Sequence, residues 1–334
     1  MAQSRIWLAG ALALCVVGFT GCAAGSPQPS ALSGSDGGTG TPGTMGGTAS
    51  AAQNSNSLAD GARIVALAKG ADGAVGLWEL DGKSGWAFLG AEPAATAIGW
   101  TPNGIAIASG HAVELRTASA LGSAGTTEPL TWPASHSAAP IVSLDSSAGG
   151  VMAVVCADDQ SLTYDVAPAD GTIATLTPAP KVSLKPSALW IDETRLLVLD
   201  TGATDISRLA VVDTVAGTMK SSTAVNGVRW MGVSSDRQSV ALAAGSAVYA
   251  GPVATMTSDA AVAPMLTLDG TQTVWGLVLS ADGSEVFMLS GTVAGIDDIQ
   301  AVHELGYARS GSGWDKILDS TVPFGWALGQ VYLA

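Results

Sequence analysis

Between Thr273 and Gly291 the chain reads TVWGLVLSADGSEVFMLSG: two apolar runs, rich in β-branched and aromatic residues, on either side of Ala281-Asp282-Gly283. Short apolar runs flanking an Asp-Gly dipeptide specify two antiparallel strands joined by a tight turn. The unit recurs, with tryptophans at equivalent places: Trp100, Trp190, Trp230, Trp275 and Trp326. The intervals are 90, 40, 45 and 51 residues. The first is a double period, its middle held by Ile141-Val142-Ser143-Leu144, so the repeat averages about 45 residues, the length of a four-stranded propeller blade.

Each period divides into four strand-like runs. The second unit gives Ala97–Trp100, Ile105–Ser109, Ala112–Arg116 and Pro129–Trp132, with Asn103-Gly104 turning the first pair. The second run of most units is apolar nearly throughout, as a strand covered on both faces requires. The ends of the chain supply the closure. Ala59-Asp60-Gly61 matches Ala281-Asp282-Gly283, the turn after an innermost strand, yet no such strand precedes it; WALGQVYLA, residues Trp326–Ala334, matches the missing strand. The pattern therefore predicts an all-β, six-bladed β-propeller over residues 58–334, its ring closed by Trp326–Ala334 completing the first blade, with seven blades as the alternative count. Each repeat tryptophan, Trp326 included, is expected to be buried.

Composition narrows the partners. Charged residues are 13% of the chain and the formal net charge is -14. Nucleic acid binding needs a basic footprint, so this class is excluded, and an anionic membrane surface would not attract the folded domain. The domain is expected to be monomeric.

Residues 1–21 have the form of an export signal, with Arg5 ahead of a 14-residue apolar run from Ile6 to Phe19. That run is shorter than the ~20 residues a spanning helix needs. It ends in Phe19-Thr20-Gly21-Cys22, which resembles the lipobox of bacterial lipoproteins, with Phe19 where an aliphatic residue is usual. The resemblance implies a diacylglyceryl group on Cys22 and a chain held by its lipid at the outer side of a bacterial cell membrane. Residues 22–57, poor in apolar residues and with one charge at Asp36, read as a disordered tether with a reach of about 30 Å. Cys15 falls in the signal, which leaves Cys156 as the one thiol of the domain; it follows the strand-like run Val151–Val155 and is read as a small buried residue.

The layout from Leu58 to Ala334 resembles the WD40 and TolB-like propellers, with Leu77-Trp78-Glu79-Leu80 close to the usual ending of a third strand. The Gly-His and Trp-Asp dipeptides of WD40 repeats do not recur. The layout also resembles lipidated propellers, including the propeller part of LpqB-type lipoproteins.

Propellers usually bind on the face built by the loops between second and third strands and by the connections between blades. Those loops carry Lys69 and Asp72, Asp158 and Asp159, Asp200 and Asp205, and Asp297 and Asp298; the connections add His136, Lys181 and Lys185. Acidic residues from four blades form a candidate binding face for a cation or a basic partner, against the ordinary use of Asp as a turn-maker. His111, His136 and His303 are scattered and read as structural or solvated, no cluster has zinc spacing, and no nucleophile elbow or phosphate cradle is present. No cofactor is implied. The resulting reading is a lipid-anchored envelope propeller acting as a protein- or ligand-binding scaffold; the alternative is an extracytoplasmic hydrolase or lyase with its site at the channel mouth.

Overall fold

The computed structural model describes residues 58–334, apart from 83–84, 129, 133–138, 158–161, 168–172, 178–179, 181–186, 202–205, 270–271 and 294–298. The signal and tether segments predicted for residues 1–57 lie outside the described residues.

Six four-stranded antiparallel sheets form six blades, not seven. Blade 1 pairs Arg63–Gly70, Val75–Asp81 and Gly85–Ala91 with the C-terminal strand Phe324–Leu333 as its innermost member. The join pairs antiparallel from Arg63 opposite Leu333 to Gly70 opposite Phe324, with register shifts between Leu67 and Ala68 and between Lys69 and Gly70. The innermost strands of blades 2 to 6 are Ala97–Thr101, Ile141–Ser146, Ala188–Trp190, Trp230–Val233 and Gln272–Leu279. The one helical element among the described residues is the single turn Val253–Met256. The fold class, the closure and the blade count thus follow the repeat.

The core sits between blades, and the two-residue period of a strand builds it. In the second strand of blade 3, Ala153 and Val155 pack toward blade 4, while Met152, Val154 and Cys156 pack toward blade 2. Blade 4 repeats the arrangement: Leu196 and Val198 face blade 3, and Leu197 and Leu199 face blade 5. This double burial is why the second strands read as unbroken apolar runs.

Innermost strands crowd the axis, and glycine makes room there. A Cβ on Gly99 of blade 2 would stand 2.2 Å from the Leu144 carbonyl oxygen of blade 3, and one on Gly232 of blade 5 would stand 2.7 Å from the Leu277 oxygen of blade 6.

Two expectations are corrected. The outermost strand of blade 2 is Thr126–Glu128; of the expected Pro129–Trp132, Pro129 lies outside the described residues, and Trp132 stacks on His111 with ring centroids 4.6 Å apart while its Nε1–H donates to the His111 carbonyl at 3.2 Å. The repeat tryptophans are not uniformly buried. Trp190 is 1% exposed and Trp326 is 41% exposed, because Trp190 lies between two blades and Trp326 lies at the rim, against Trp275 at 5.1 Å between centroids.

Cys156 is fully buried, as expected, and burial pushes its thiol up to about 12, the nearby Asp165 carboxylate adding to the rise.

Candidate functional site

All six innermost strands line a central channel of about 130 Å³. Its wall is apolar, with Ile98, Val142, Leu189, Met231, Leu277 and Leu328 contributed by different blades. The two ends differ. Ser187 and Arg229 precede the innermost strands of blades 4 and 5 and mark the mouth on the side of the inter-blade connections; Arg229 is exposed. At the opposite end, where each innermost strand turns into the second, the channel is floored by Trp100, Asp145 and Arg237.

The floor is a buried ion pair across the ring. Arg237 belongs to the turn Ser234-Ser235-Asp236-Arg237-Gln238 of blade 5. Asp145 is the penultimate residue of the innermost strand of blade 3. Arg237 Nη1 donates to Asp145 Oδ2 at 2.9 Å and to the Trp190 carbonyl of blade 4 at 3.2 Å, and Nη2 donates to Asp145 Oδ1 at 3.3 Å and to the Ser146 carbonyl. The Trp190 N–H donates to Asp145 Oδ2 at 2.9 Å. The guanidinium also lies 4.5 Å from the centre of the Trp100 ring of blade 2, a favourable cation–π position. One side chain therefore touches blades 2, 3 and 4 from blade 5. Residue exposures of 8% for Arg237 and 3% for Asp145 place the pair out of water. Burial raises the Asp145 carboxyl above its ordinary range; the guanidinium and the backbone N–H of Trp190 pull it down.

Local geometry shows what this position gives up. Arg237 has φ 62°, the left-handed value seen at Gly283 (φ 71°) in the matching turn of blade 6, and it is the one non-glycine residue with positive φ among those described. Such a backbone disfavours side chains by about 1–2 kcal/mol. The turn is held by its own hydroxyl and carboxylate: Ser234 Oγ donates to Asp236 Oδ1 at 2.5 Å, which also accepts the Gln238 N–H at 2.9 Å. Ser280 and Asp282 repeat the pattern in blade 6. Neighbouring turns also lock together, Glu193 of blade 4 accepting the Ser147 hydroxyl at 2.7 Å and the Gly149 N–H at 2.9 Å from blade 3.

Of the candidate face, Asp72 and Asp200 lie within the described residues. Asp72 is exposed and its Oδ1 accepts the Ala74 N–H at 3.0 Å, so it shapes its own turn. Asp200 is 5% exposed and accepts the Ser221 hydroxyl of its own blade at 3.2 Å. Lys69 is exposed at the end of its strand, opposite Trp326. His136, Asp158, Asp159, Asp205, Asp297 and Asp298, with Lys181 and Lys185, lie outside the described residues. His111 Nε2 bonds the Ala139 carbonyl at 2.5 Å, a structural contact. Among the described residues no group of three or more His, Cys, Asp and Glu side chains is placed to hold a metal, and no helix is long and apolar enough to cross a membrane.

Sequence reasoning missed Arg237 and Asp145. One local signal was available: an arginine stands where the aligned turn has Gly283.

No protein-family model and no curated protein sequence matches the chain. Solved structures with a similar fold include two described as TolB. TolB from Acinetobacter baumannii is 15% identical with a TM-score of 0.59, the match covering 81% of this chain and 66% of that one. A chain described as a TolB from Agrobacterium tumefaciens is 12% identical with a TM-score of 0.54, covering 82% of this chain and 98% of that one. This chain therefore spans just under two thirds of the Acinetobacter protein. At these identities the likeness is one of architecture: the chain has a TolB-like six-bladed propeller fold.

Proposed function

We propose that this chain is an extracytoplasmic propeller, anchored by a lipid on Cys22, that binds another envelope protein or a ligand at the channel mouth and the surrounding loop face. The observation that carries the reading is the asymmetry of the channel. Its turn end is sealed by a neutralised ion pair, whereas its mouth end opens between apolar walls beside the exposed Arg229. A recess of that kind recognises by shape and a few polar contacts. The TolB-like fold and the lipobox-like Phe19-Thr20-Gly21-Cys22 support an envelope setting.

The test has two parts. A clickable palmitate analogue fed to the producing cells labels the wild-type chain and leaves Cys22→Ala unlabelled and released from the membrane. A photo-cross-linking residue at Arg229, at the mouth, then captures an envelope partner that the same residue at Gln238, on the turn face, does not. Equal labelling of Cys22→Ala, or capture from Gln238 alone, overturns the reading.

A further inference from the structure

Blades 5 and 6 do not match at their outer edges. The outermost strand of blade 5, Leu266–Thr267, has two residues, whereas the outer strands of blade 6, Ile299–Ser310 and Gly313–Thr321, have 12 and 9. A two-residue strand cannot cover that face. A cleft of about 250 Å³ remains between the blades, lined by His303, Tyr307, Lys316 and Asp319 of blade 6, by Gln272 at the start of that blade's innermost strand and by Asp269 of the connection from blade 5.

Strand alternation selects the side chains. His303, Leu305 and Tyr307 lie on the cleft face, while Glu304 lies on the other, where it accepts a hydrogen bond from Gln330 of the closing strand at 2.8 Å. Asp319 organises the polar groups. Its Oδ1 lies 3.0 Å from His303 Nδ1 and its Oδ2 accepts from Lys316 Nζ at 2.8 Å. Burial pushes the Asp319 carboxyl up, but the hydrogen bonds from Lys316 and His303 outweigh it and hold the carboxyl below its usual range. An ionised Asp319 acts only as an acceptor, so in neutral His303 the proton sits on Nδ1 and Nε2 presents a lone pair. Nε2 and the Asp269 carboxylate have no hydrogen-bond partner among the described residues.

The cleft thus presents acceptors at His303 Nε2 and Asp269, donors at Lys316, a hydroxyl at Tyr307 and an amide at Gln272, over the buried Leu305. Asp269 and Asp319 against Lys316 leave it one negative charge with neutral His303, which disfavours an anion, and Lys316 already neutralises the inner carboxylate. Alternating donors and acceptors beside an aromatic ring suit hydroxyl groups, each of which donates and accepts. A volume just under that of drug-sized pockets, about 300–1,000 Å³, suits a single ring. We propose that the blade 5–6 cleft is a binding site for a neutral, polyhydroxylated ligand of one sugar ring, separate from the channel.

Saturation-transfer-difference NMR on the purified full-length chain tests this with glucose, galactose and N-acetylglucosamine, and with glucosamine and glucuronate as charged comparators, each at about 10 mM to detect millimolar binding. Ring-proton transfer to at least one neutral sugar is expected. It should fall about fivefold or more, an affinity loss of about 1 kcal/mol, in His303→Gln and in Asp269→Asn, and remain in Arg229→Ala at the channel mouth. Asp269 is exposed, so Asp269→Asn keeps the test valid if His303→Gln unfolds. Absence of transfer from all three neutral sugars, transfer confined to the charged comparators, or transfer undiminished in the folded cleft variants overturns the proposal. Loss in Arg229→Ala with retention in Asp269→Asn moves the ligand to the channel and equally overturns it.

Discussion

Replacing Arg237 by glycine sets two effects against each other. Glycine relieves the left-handed backbone (φ 62°), a gain of about 1 kcal/mol for a compatible site. It also strips Asp145, 3% exposed, of both guanidinium bonds and leaves the Trp190 and Ser146 carbonyls without their donor. Removing one partner of a buried pair destabilises by about 3–5 kcal/mol. The pair wins, and the net loss is about 2–4 kcal/mol, a fall of about 3–7 °C in Tm for a domain of this size. The loss should depend on pH with a definite sign. Burial already raises the Asp145 carboxyl, and without Arg237 it rises further. A carboxyl whose folded value lies above its unfolded value binds more protons when folded, so the variant loses stability as pH climbs from its unfolded value through its folded value. The difference from wild type should therefore be smaller at pH 4 than at pH 7.5. Urea and thermal unfolding followed by circular dichroism at both pH values measure it, with Arg237→Gly/Asp145→Leu predicted to recover part of the loss. A variant as stable as wild type at pH 7.5, or a loss equal at both pH values, refutes the ion pair as the brace of the channel floor.

Three further outcomes are expected. Glu304 is fully buried and burial pushes its carboxyl up to about 8, against a lowering hydrogen bond from Gln330; wild-type stability should fall as pH rises from about 4.5 to 8, and Glu304→Gln should flatten that slope and melt higher than wild type at pH 9. Trp190→Ala should destabilise by about 3–5 kcal/mol, while Trp326→Ala, at a rim position 41% exposed, should lose less than half of that in the same urea titration. Gly99→Ala places a Cβ on the Leu144 carbonyl at 2.2 Å and should destabilise by about 1–3 kcal/mol or more, read as a lower urea midpoint at unchanged m-value.

The repeat was legible because blade packing is periodic in the sequence. A second strand such as Ala153–Cys156 must be apolar on both faces, and a turn such as Ala281-Asp282-Gly283 must supply its own Asp acceptor and a left-handed glycine, so each leaves a local mark. Even the closure could be read, since Phe324–Leu333 does for blade 1 what Gln272–Leu279 does for blade 6. Burial of individual tryptophans was not legible in the same way. The repeat sets Trp190 and Trp326 at equivalent places, but they hold opposite ends of their innermost strands: Trp190 pairs with Leu196 beside the turn into the second strand, Trp326 with Lys69 at the connection end, and only the first is covered by a neighbouring blade.

The site groups depend on a third dimension that the repeat does not encode. Asp145 and Arg237 are 92 residues apart, and each taken alone is an ordinary charged residue beside a turn. His303 and Asp319 sit 16 residues apart on adjacent strands, yet their pairing matters only because the outer strand of blade 5 stops after two residues and leaves them uncovered. What can be read ahead of structure in such cases is the local exception. The turn of blade 5 has the Ser-x-Asp frame of Ser280-Ala281-Asp282, keeps its hydrogen bonds, and yet places arginine where blade 6 has Gly283. A side chain kept in a left-handed position needs interactions that outweigh the strain. In this molecule they are the four polar acceptors and the indole face that Arg237 meets across the channel.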